Sequence, residues 1–331
     1  MKKLLYVVVT LVILAGCNSD KGKRWRIPAS ELQSEKLILE DYGKALFSID
    51  TAHFLTQLQH IQKQYPEFLD GDLSDTLNSN RLLRFIADPF LRQLFFRTQQ
   101  VFPDKDLIGA SIAQIFSRLK FYEPSFRSPQ VFTYISGLQL DAPVMASTES
   151  LVIALDCYLG SDEPLYQGAG ISAYRLLQMD AAHLPTDVAK TLYHVYFERE
   201  MQAGSLLDEM IQAGKRYVFV EALLPETAPN ILFGYSKAQY EWLQKHEGEV
   251  WRSIVGQQLL YSSDPILFRK FFGDGPFTKE FSTEAPSRLG EYIGWQIMRN
   301  YMNIHKDVTL YQMITLDDAP RLLSASRYKP K

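Results

Sequence analysis

Residues 187–197 read Asp187-Val188-Ala189-Lys190-Thr191-Leu192-Tyr193-His194-Val195-Tyr196-Phe197. The apolar side chains recur at the spacing of one helix face, which predicts an amphipathic helix over 187–200. Lys190, Thr191 and His194 interrupt this apolar pattern with polar groups. The segment is therefore the most informative one in the sequence for both the fold and the function.

Helical spacing also predicts most of the other elements. The predicted helices span 32–65 (broken at 48–50), 81–102, 107–121, 206–224, 237–260, 265–272, 286–302 and 310–315. Pro89 is expected to kink or divide the run 81–102, because proline lacks a backbone donor. Residues 130–138 and 150–158 are instead rich in β-branched and aromatic residues, which predicts strands. The expected fold class is α+β, mostly helical, with a small β-sheet packed against helices.

The composition is typical of a well-packed globular protein, with 46% hydrophobic and 13% aromatic residues among 331. A net charge of -3 and a pI of about 6.1 give no basic excess, so nucleic acid is not an expected partner. None of the six histidines has the His-Glu-x-x-His spacing, and neither a glycine-rich phosphate loop nor a Gly-x-Ser-x-Gly elbow is present. No cofactor is therefore expected.

The amino terminus has the layout of a bacterial lipoprotein signal. Lys2 and Lys3 precede an apolar run, 4–14, that is too short for an ordinary spanning helix, and Leu-Ala-Gly then leads directly into Cys17. We expect a signal peptide at 1–16, a lipid on Cys17, a tether over 17–28 and a single domain over 29–331. The protein is then exported, anchored in the inner or outer membrane and facing the periplasm. The alternative is an uncleaved N-terminal anchor.

Only one other cysteine is present, so the mature domain can form no internal disulfide. Cys157 lies in an apolar run, which favours a buried small hydrophobic side chain over a nucleophile.

The helix at 187–197 resembles the active-site helix of zincin metalloproteases, which carries His-Glu-x-x-His. In this comparison Lys190 occupies the first zinc-ligand position, Thr191 the catalytic carboxylate position and His194 the second ligand position. An ammonium group has no lone pair for zinc, and threonine cannot act as the general base. In the next helix Ala213 stands where zincin relatives often place a glutamate ligand. The resemblance implies a catalytically degenerate, zincin-like pseudo-peptidase without a metal.

Motifs along most of the mature chain resemble the gliding motility-associated lipoprotein GldB family of the Bacteroidota. They comprise LDCYLG (155–160) with PLY (164–166), LLP (223–225), GY (234–235), EVW (249–251), LLYSSDP (259–265), SRLG (287–290), IGWQI (293–297) and YKP (328–330). The resemblance implies a zincin-like helical core and an association with surface gliding and with type IX secretion. Envelope proteins of those machineries are then the expected partners, together with the membrane that holds the lipid.

Three functions stay open. The first is a lipid-anchored, non-catalytic docking component of the cell envelope. The second is a lipoprotein that binds a ligand in the vacated zincin cleft, where Lys190, Tyr193 and His194 suit an anionic or aromatic molecule. The third is a metallohydrolase with an unrecognised site, for which His194, His183 and Asp180 are the candidate residues. A lone histidine among apolar residues is, however, most often a hydrogen-bonded core residue, and this is the expectation for His194.

The C-terminal motifs suggest packing more than chemistry. Gly290 and Gly294 lie four residues apart, so they form one smooth stripe that allows a second helix to pack closely. Tyr292 and Trp295 are expected in the core or along a groove. Arg288 could hold a carboxylate, but a surface position at the helix start is the favoured expectation.

Overall fold

The computed structural model describes residues 23–198, 204–279 and 281–330. The predicted signal peptide, its lipid-attachment residue Cys17 and the first part of the tether lie outside the described residues. Within them the fold is α+β and mostly helical, which confirms the predicted class. No helix in the described ranges is both long enough and apolar enough to cross a lipid bilayer.

The described residues form four strands and fifteen α-helices, with four short 3₁₀ turns between them. The strands are β1 Leu39–Asp41, β2 Gln130–Tyr134, β3 Val144–Ala146 and β4 Ser150–Ala154. The first seven helices are α1 Tyr42–Phe47, α2 Phe54–Gln64, α3 Thr76–Ala87, α4 Pro89–Val101, α5 Asp106–Tyr122, α6 Pro164–Gly168 and α7 Ala173–Leu176. The remaining eight are α8 Leu184–Phe197, α9 Leu206–Leu223, α10 Pro229–Phe233, α11 Lys237–Gly256, α12 Pro265–Phe272, α13 Leu289–Ile304, α14 Leu310–Thr315 and α15 Ala319–Ser326.

The sheet has the order β1-β2-β4-β3. β2 is parallel to both β1 and β4, with Val131 opposite Leu39 and Leu151, and all three of these strands run in one direction. β3 is antiparallel to β4, with Met145 opposite Val152, and it forms one edge of the sheet. This short edge strand borders a cleft against α8.

Several sequence predictions need correction. Residues 39–41 were expected in a helix, but they form β1, because their backbone pairs with β2 far along the chain. The helix predicted from Pro286 begins only at Leu289. β3 and α15 have no counterpart among the predicted elements. Pro89 divides the predicted run as expected, because Asp88 caps the new helix by accepting hydrogen bonds from two backbone N–H groups.

The two predicted strands are shorter than expected because Asp156 ties their ends together. Its buried carboxylate accepts hydrogen bonds from the backbone N–H groups of Ser136, at 2.9 Å, and Leu138, at 2.8 Å. Leu138 itself has a positive φ of 67°, which no extended strand allows. The chain therefore leaves the sheet after Tyr134.

Helices α9 and α13 form the centre of the helical part. A Cβ atom on Gly214 would lie 2.2 Å from the carbonyl oxygen of Gly294, and one on Gly294 would lie 1.7 Å from that of Met210. Only glycine allows two backbones to approach so closely. The predicted close packing at Gly294 is confirmed, and Gly290 packs against the Phe272 ring of α12. Neighbouring Trp295 is fully buried.

The predicted tether extends into the packed part of the chain. Trp25 is only 6% exposed, and its ring meets that of Tyr122 edge to face at 6.0 Å. Arg24 donates hydrogen bonds to the backbone carbonyls of Met302, in the last turn of α13, and Val308, beyond the end of that helix. The folded domain therefore begins before residue 29.

Candidate functional site

A cleft of about 660 Å³ lies between the β3 edge of the sheet and α8. Residues 140–146 form one wall and the α8 side chains form the other. Six polar lining side chains from α8, α9 and the start of α13 form what we call the cleft floor: Asp187, Lys190, Arg216, Tyr217, Arg288 and Glu291. The volume lies within the usual range of 300–1,000 Å³ for ligand sites.

Helix α8 brings the predicted residues Lys190, Thr191 and His194 to this cleft, because His194 lies three positions after Thr191 and four after Lys190, and residues at these spacings share one side of a helix. Lys190 lies deep, with its ammonium 3.8 Å from a carboxylate oxygen of Asp187 and 5.5 Å from the centre of the Tyr217 ring. Burial lowers the pKa of this ammonium, partly offset by the charge of Asp187.

His194 lies at the rim of the cleft and not in the core. Its side chain is 73% exposed, and Nδ1 contacts a carboxylate oxygen of Glu198 one turn later. The expectation of a core histidine is therefore wrong. His194 lies one helical turn after Lys190, and at this point along α8 the side chain reaches solvent.

Tyr193 does not line the cleft. It is 3% exposed and packs against Phe219 of α9, with ring centroids 5.4 Å apart. Successive residues point in different directions around a helix, so Tyr193 faces α9 whereas His194 faces the rim of the cleft. The prediction that Tyr193 and His194 contact the same ligand is therefore wrong.

Glu291 is the centre of a buried ion network on the cleft floor. Its carboxylate accepts hydrogen bonds from the Arg216 guanidinium at 3.1 Å and from the Tyr217 hydroxyl at 2.7 Å. The Arg288 guanidinium lies 3.7 Å away. Burial alone would raise the pKa of Glu291, but the two arginines and the tyrosine hydroxyl together lower it below its ordinary value. The carboxylate is therefore ionised.

Arg288 reaches the cleft floor through an unusual backbone conformation. It has φ 59° and ψ 37°, the left-handed region that a non-glycine residue adopts at an energetic cost. Its guanidinium donates to the carbonyl of Phe233 at 2.7 Å and lies over the Tyr235 ring at 5.3 Å. The side chain is only 13% exposed. The favoured expectation of a surface arginine is wrong, and the alternative, a carboxylate partner, is the one found.

Helix α9 contributes to the cleft one turn later than expected. Ala213 is buried inside the α9 packing and does not line the cleft. Arg216 and Tyr217, three and four positions later, do so instead. Arg216, Tyr217 and Glu291 were not predicted from the sequence, and Arg288 was predicted there only as the less favoured alternative of a carboxylate partner. The SRLG motif at 287–290 was the one available signal for this part of the floor.

The residues considered for a hydrolase do not converge. His183 Nδ1 lies 2.8 Å from Asp180, just before α8, whereas His194 is at the other end of the helix. Eleven residues of helix correspond to about 16 Å. Within the described residues, no group of three or more His, Cys, Asp and Glu side chains is arranged to hold a metal ion.

Cys157 is buried, as predicted, with Sγ 3.7 Å from the Ser136 hydroxyl. Burial raises the pKa of its thiol, with a further contribution from Asp156. A nucleophilic thiolate is therefore disfavoured at this position.

Comparison with known proteins identifies one family. The family model described as "Gliding motility protein GldB" matches residues 23–330. Neither the curated proteins nor the solved structures contain a significant match.

Proposed function

This chain belongs to the gliding motility protein GldB family, and we propose that it is a lipid-anchored, non-catalytic docking component of the cell envelope. In this proposal it faces the periplasm from the membrane that holds the lipid on Cys17. Its partners are proteins of the gliding or type IX secretion machinery. The cleft between β3 and α8 is the docking site.

The observation that carries the proposal is the chemistry of the α8 face in the cleft. Lys190 presents an ammonium group, which has no lone pair for a metal, and Thr191 presents a hydroxyl that is not a general base. Next to them Arg216 and Arg288 share the carboxylate of Glu291 in a buried network. Such groups hold a bound segment by charge and hydrogen bonding. They support a binding role for a domain that we propose to be a degenerate zincin.

A cross-linking experiment in the native bacterium tests the docking site. A photoreactive amino acid replaces Thr191 in the cleft, and a matched protein carries it at Leu77 of α3, a 69% exposed position outside the cleft. We expect cross-links from position 191 to a defined gliding or secretion protein and none to that protein from position 77. Equal cross-linking from both positions, or none from position 191, contradicts the proposal.

The non-catalytic part of the proposal has its own measurement. The full-length lipoprotein, purified in mild detergent without chelators, is assayed for bound zinc and for peptide hydrolysis. We expect less than stoichiometric zinc and no hydrolysis above the level of a Lys190→Gln, His194→Ala double variant. Stoichiometric zinc together with hydrolysis that this variant lacks would falsify the assignment.

A second candidate is a lipoprotein that holds a small molecule in the same cleft. The cleft volume of about 660 Å³ and the partly buried charges favour it, because clefts of this size commonly take small ligands. Native mass spectrometry of the protein purified from its own envelope distinguishes the two functions. A stoichiometric bound small molecule supports this candidate, whereas an unliganded mass supports docking.

A further inference from the structure

We infer that the cleft floor binds one carboxylate group, presented by the polypeptide that docks in the cleft. The inference rests on the proposed docking function and names the chemistry by which the cleft recognises its partner. Lys190 and Arg288 are the groups that contact this carboxylate.

Two hydrogen-bond donors on the floor lack partners. The ammonium of Lys190 makes no hydrogen bond to any described residue, since its nearest carboxylate oxygen, on Asp187, is 3.8 Å away. Nε of Arg288 is buried, lies 3.8 Å from a carboxylate oxygen of Asp274, and also has no hydrogen-bond partner among the described residues. The Lys190 side chain is 23% exposed, so water reaches its ammonium, whereas a buried donor such as Nε of Arg288 is satisfied in nearly all native proteins. An acceptor supplied from outside would complete the hydrogen bonding of the Arg288 guanidinium and pair with Lys190.

The backbone of Arg288 is an independent indication. A left-handed conformation at an arginine is retained only where the surrounding structure enforces it, and such positions concentrate at binding and catalytic sites. Here the conformation places the guanidinium beneath the same opening as Lys190, and the two charges act on each other. The unfavourable backbone conformation of Arg288 is thus associated with placing its guanidinium at the cleft.

The charges of the floor favour a single negative charge. Three cations, Lys190, Arg216 and Arg288, face two floor carboxylates, Asp187 and Glu291, which leaves one positive charge. Glu198 lies 3.8 Å from Arg216 and Asp274 lies 3.8 Å from Arg288, but these two carboxylates are 39% and 44% exposed, so water weakens both ion pairs. The carboxylate of Asp141 is 86% exposed. A carboxylate balances the floor, whereas a dianionic phosphate would leave it negative.

The carboxylate has two possible sources in a polypeptide, an acidic side chain or the chain terminus. Calorimetric titration of the full-length protein in detergent distinguishes them with three short peptides of one sequence. The first has a central Glu and an amidated end, the second a central Gln and a free carboxylate end, and the third a central Gln and an amidated end. Inorganic phosphate is titrated in parallel. We expect one of the first two peptides to bind at least about tenfold more tightly than the third, as for one hydrogen bond to a charged group.

Variants locate the binding group. Lys190→Gln should remove this preference, whereas Lys63→Gln, which removes the same charge from an exposed position on α2, should retain it. Arg288→Lys should weaken binding of the preferred peptide, and circular dichroism establishes that this variant is folded. Equal binding of the three peptides, an equal loss in Lys63→Gln, or tighter binding of phosphate overturns the inference. If cross-linking from position 191 persists in that case, docking stands and only the carboxylate assignment fails.

Discussion

Gly214 of α9 and Gly294 of α13 meet where the two helices cross, with no side chain between their backbones. The crossing joins the two helices that supply four of the six floor residues. α9 carries Arg216 and Tyr217, and α13 begins directly after Arg288 and contains Glu291. The distance between the floor side chains of α9 and those at the start of α13 therefore depends on this backbone contact, where even one added Cβ atom would clash.

Gly294→Ala tests that contact. The new Cβ atom would lie 1.7 Å from the Met210 carbonyl oxygen, and because the obstacle is backbone, the helices must separate. We expect a loss of more than about 3 kcal/mol in the free energy of unfolding, at or above the upper end for overpacking. Urea unfolding followed by circular dichroism measures it. Gly256→Ala, at the end of α11 with no atom within 4 Å, should instead leave stability unchanged or raise it by up to about 1 kcal/mol.

Glu291→Gln should change how stability depends on pH. Because the folded state lowers the pKa of this carboxylate below the ordinary 4.5, its stabilisation is complete above pH 4.5 and is lost as the pH falls through the folded value. The glutamine leaves Arg216 and Arg288 without their shared anion, which should cost about 3–5 kcal/mol at pH 7. The deficit should shrink on acidification below pH 4.5.

Denaturant unfolding at a series of pH values gives this comparison. Glu67→Gln, at an exposed position after α2, is the matched control and should follow the wild-type curve throughout. A Glu291→Gln deficit that stays constant from pH 7 to pH 3 would show that the cost arises from packing and not from charge.

His194→Ala should have almost no effect on stability, although the zincin comparison places this residue at the second zinc-ligand position. Its side chain is 73% exposed and its partner Glu198 is also at the rim. We expect a change in the free energy of unfolding within about 0.5 kcal/mol, as for other exposed positions. Thermal unfolding measures it, and a loss as large as that of a buried substitution would place the histidine in the core after all.

Trp25→Ala tests where the folded domain begins. The indole is buried against Tyr122, so truncation should cost about 3–5 kcal/mol, as for other buried tryptophans. Lys36→Ala, at an exposed position, is the control and should leave the unfolding midpoint unchanged. If both variants unfold at the wild-type denaturant concentration, residues 23–28 are not part of the domain.

The long elements could be predicted because their own side chains specify them. Helix α8 has an apolar face over four turns, and β2 and β4 have the β-branched and aromatic residues of buried strands. β1 could not be found this way, since three residues carry too short a pattern and the strand exists only through pairing with β2. Local spacing contains no information about such a partner.

The residues of the candidate site likewise fall into two groups: those on one helix, which the sequence could predict, and those that only tertiary packing brings in. Lys190, Thr191 and His194 come from one helix, so their spacing alone brings them to one side. Arg288 and Glu291 join them only through the α9–α13 crossing, which depends on glycines in two separate segments. The left-handed backbone of Arg288 has no local signal, because arginine is not a residue that favours it.

The packing of Arg24 and Trp25 limits the reach of the membrane attachment that we propose at Cys17. Five residues lie between Cys17 and Lys23, and a fully extended chain over this interval spans about 20 Å, less than the roughly 30 Å thickness of a bilayer core. Under the proposed lipidation, the end of the domain that contains Trp25 would lie next to the lipid headgroups. A partner would then have to reach the membrane surface to bind this protein.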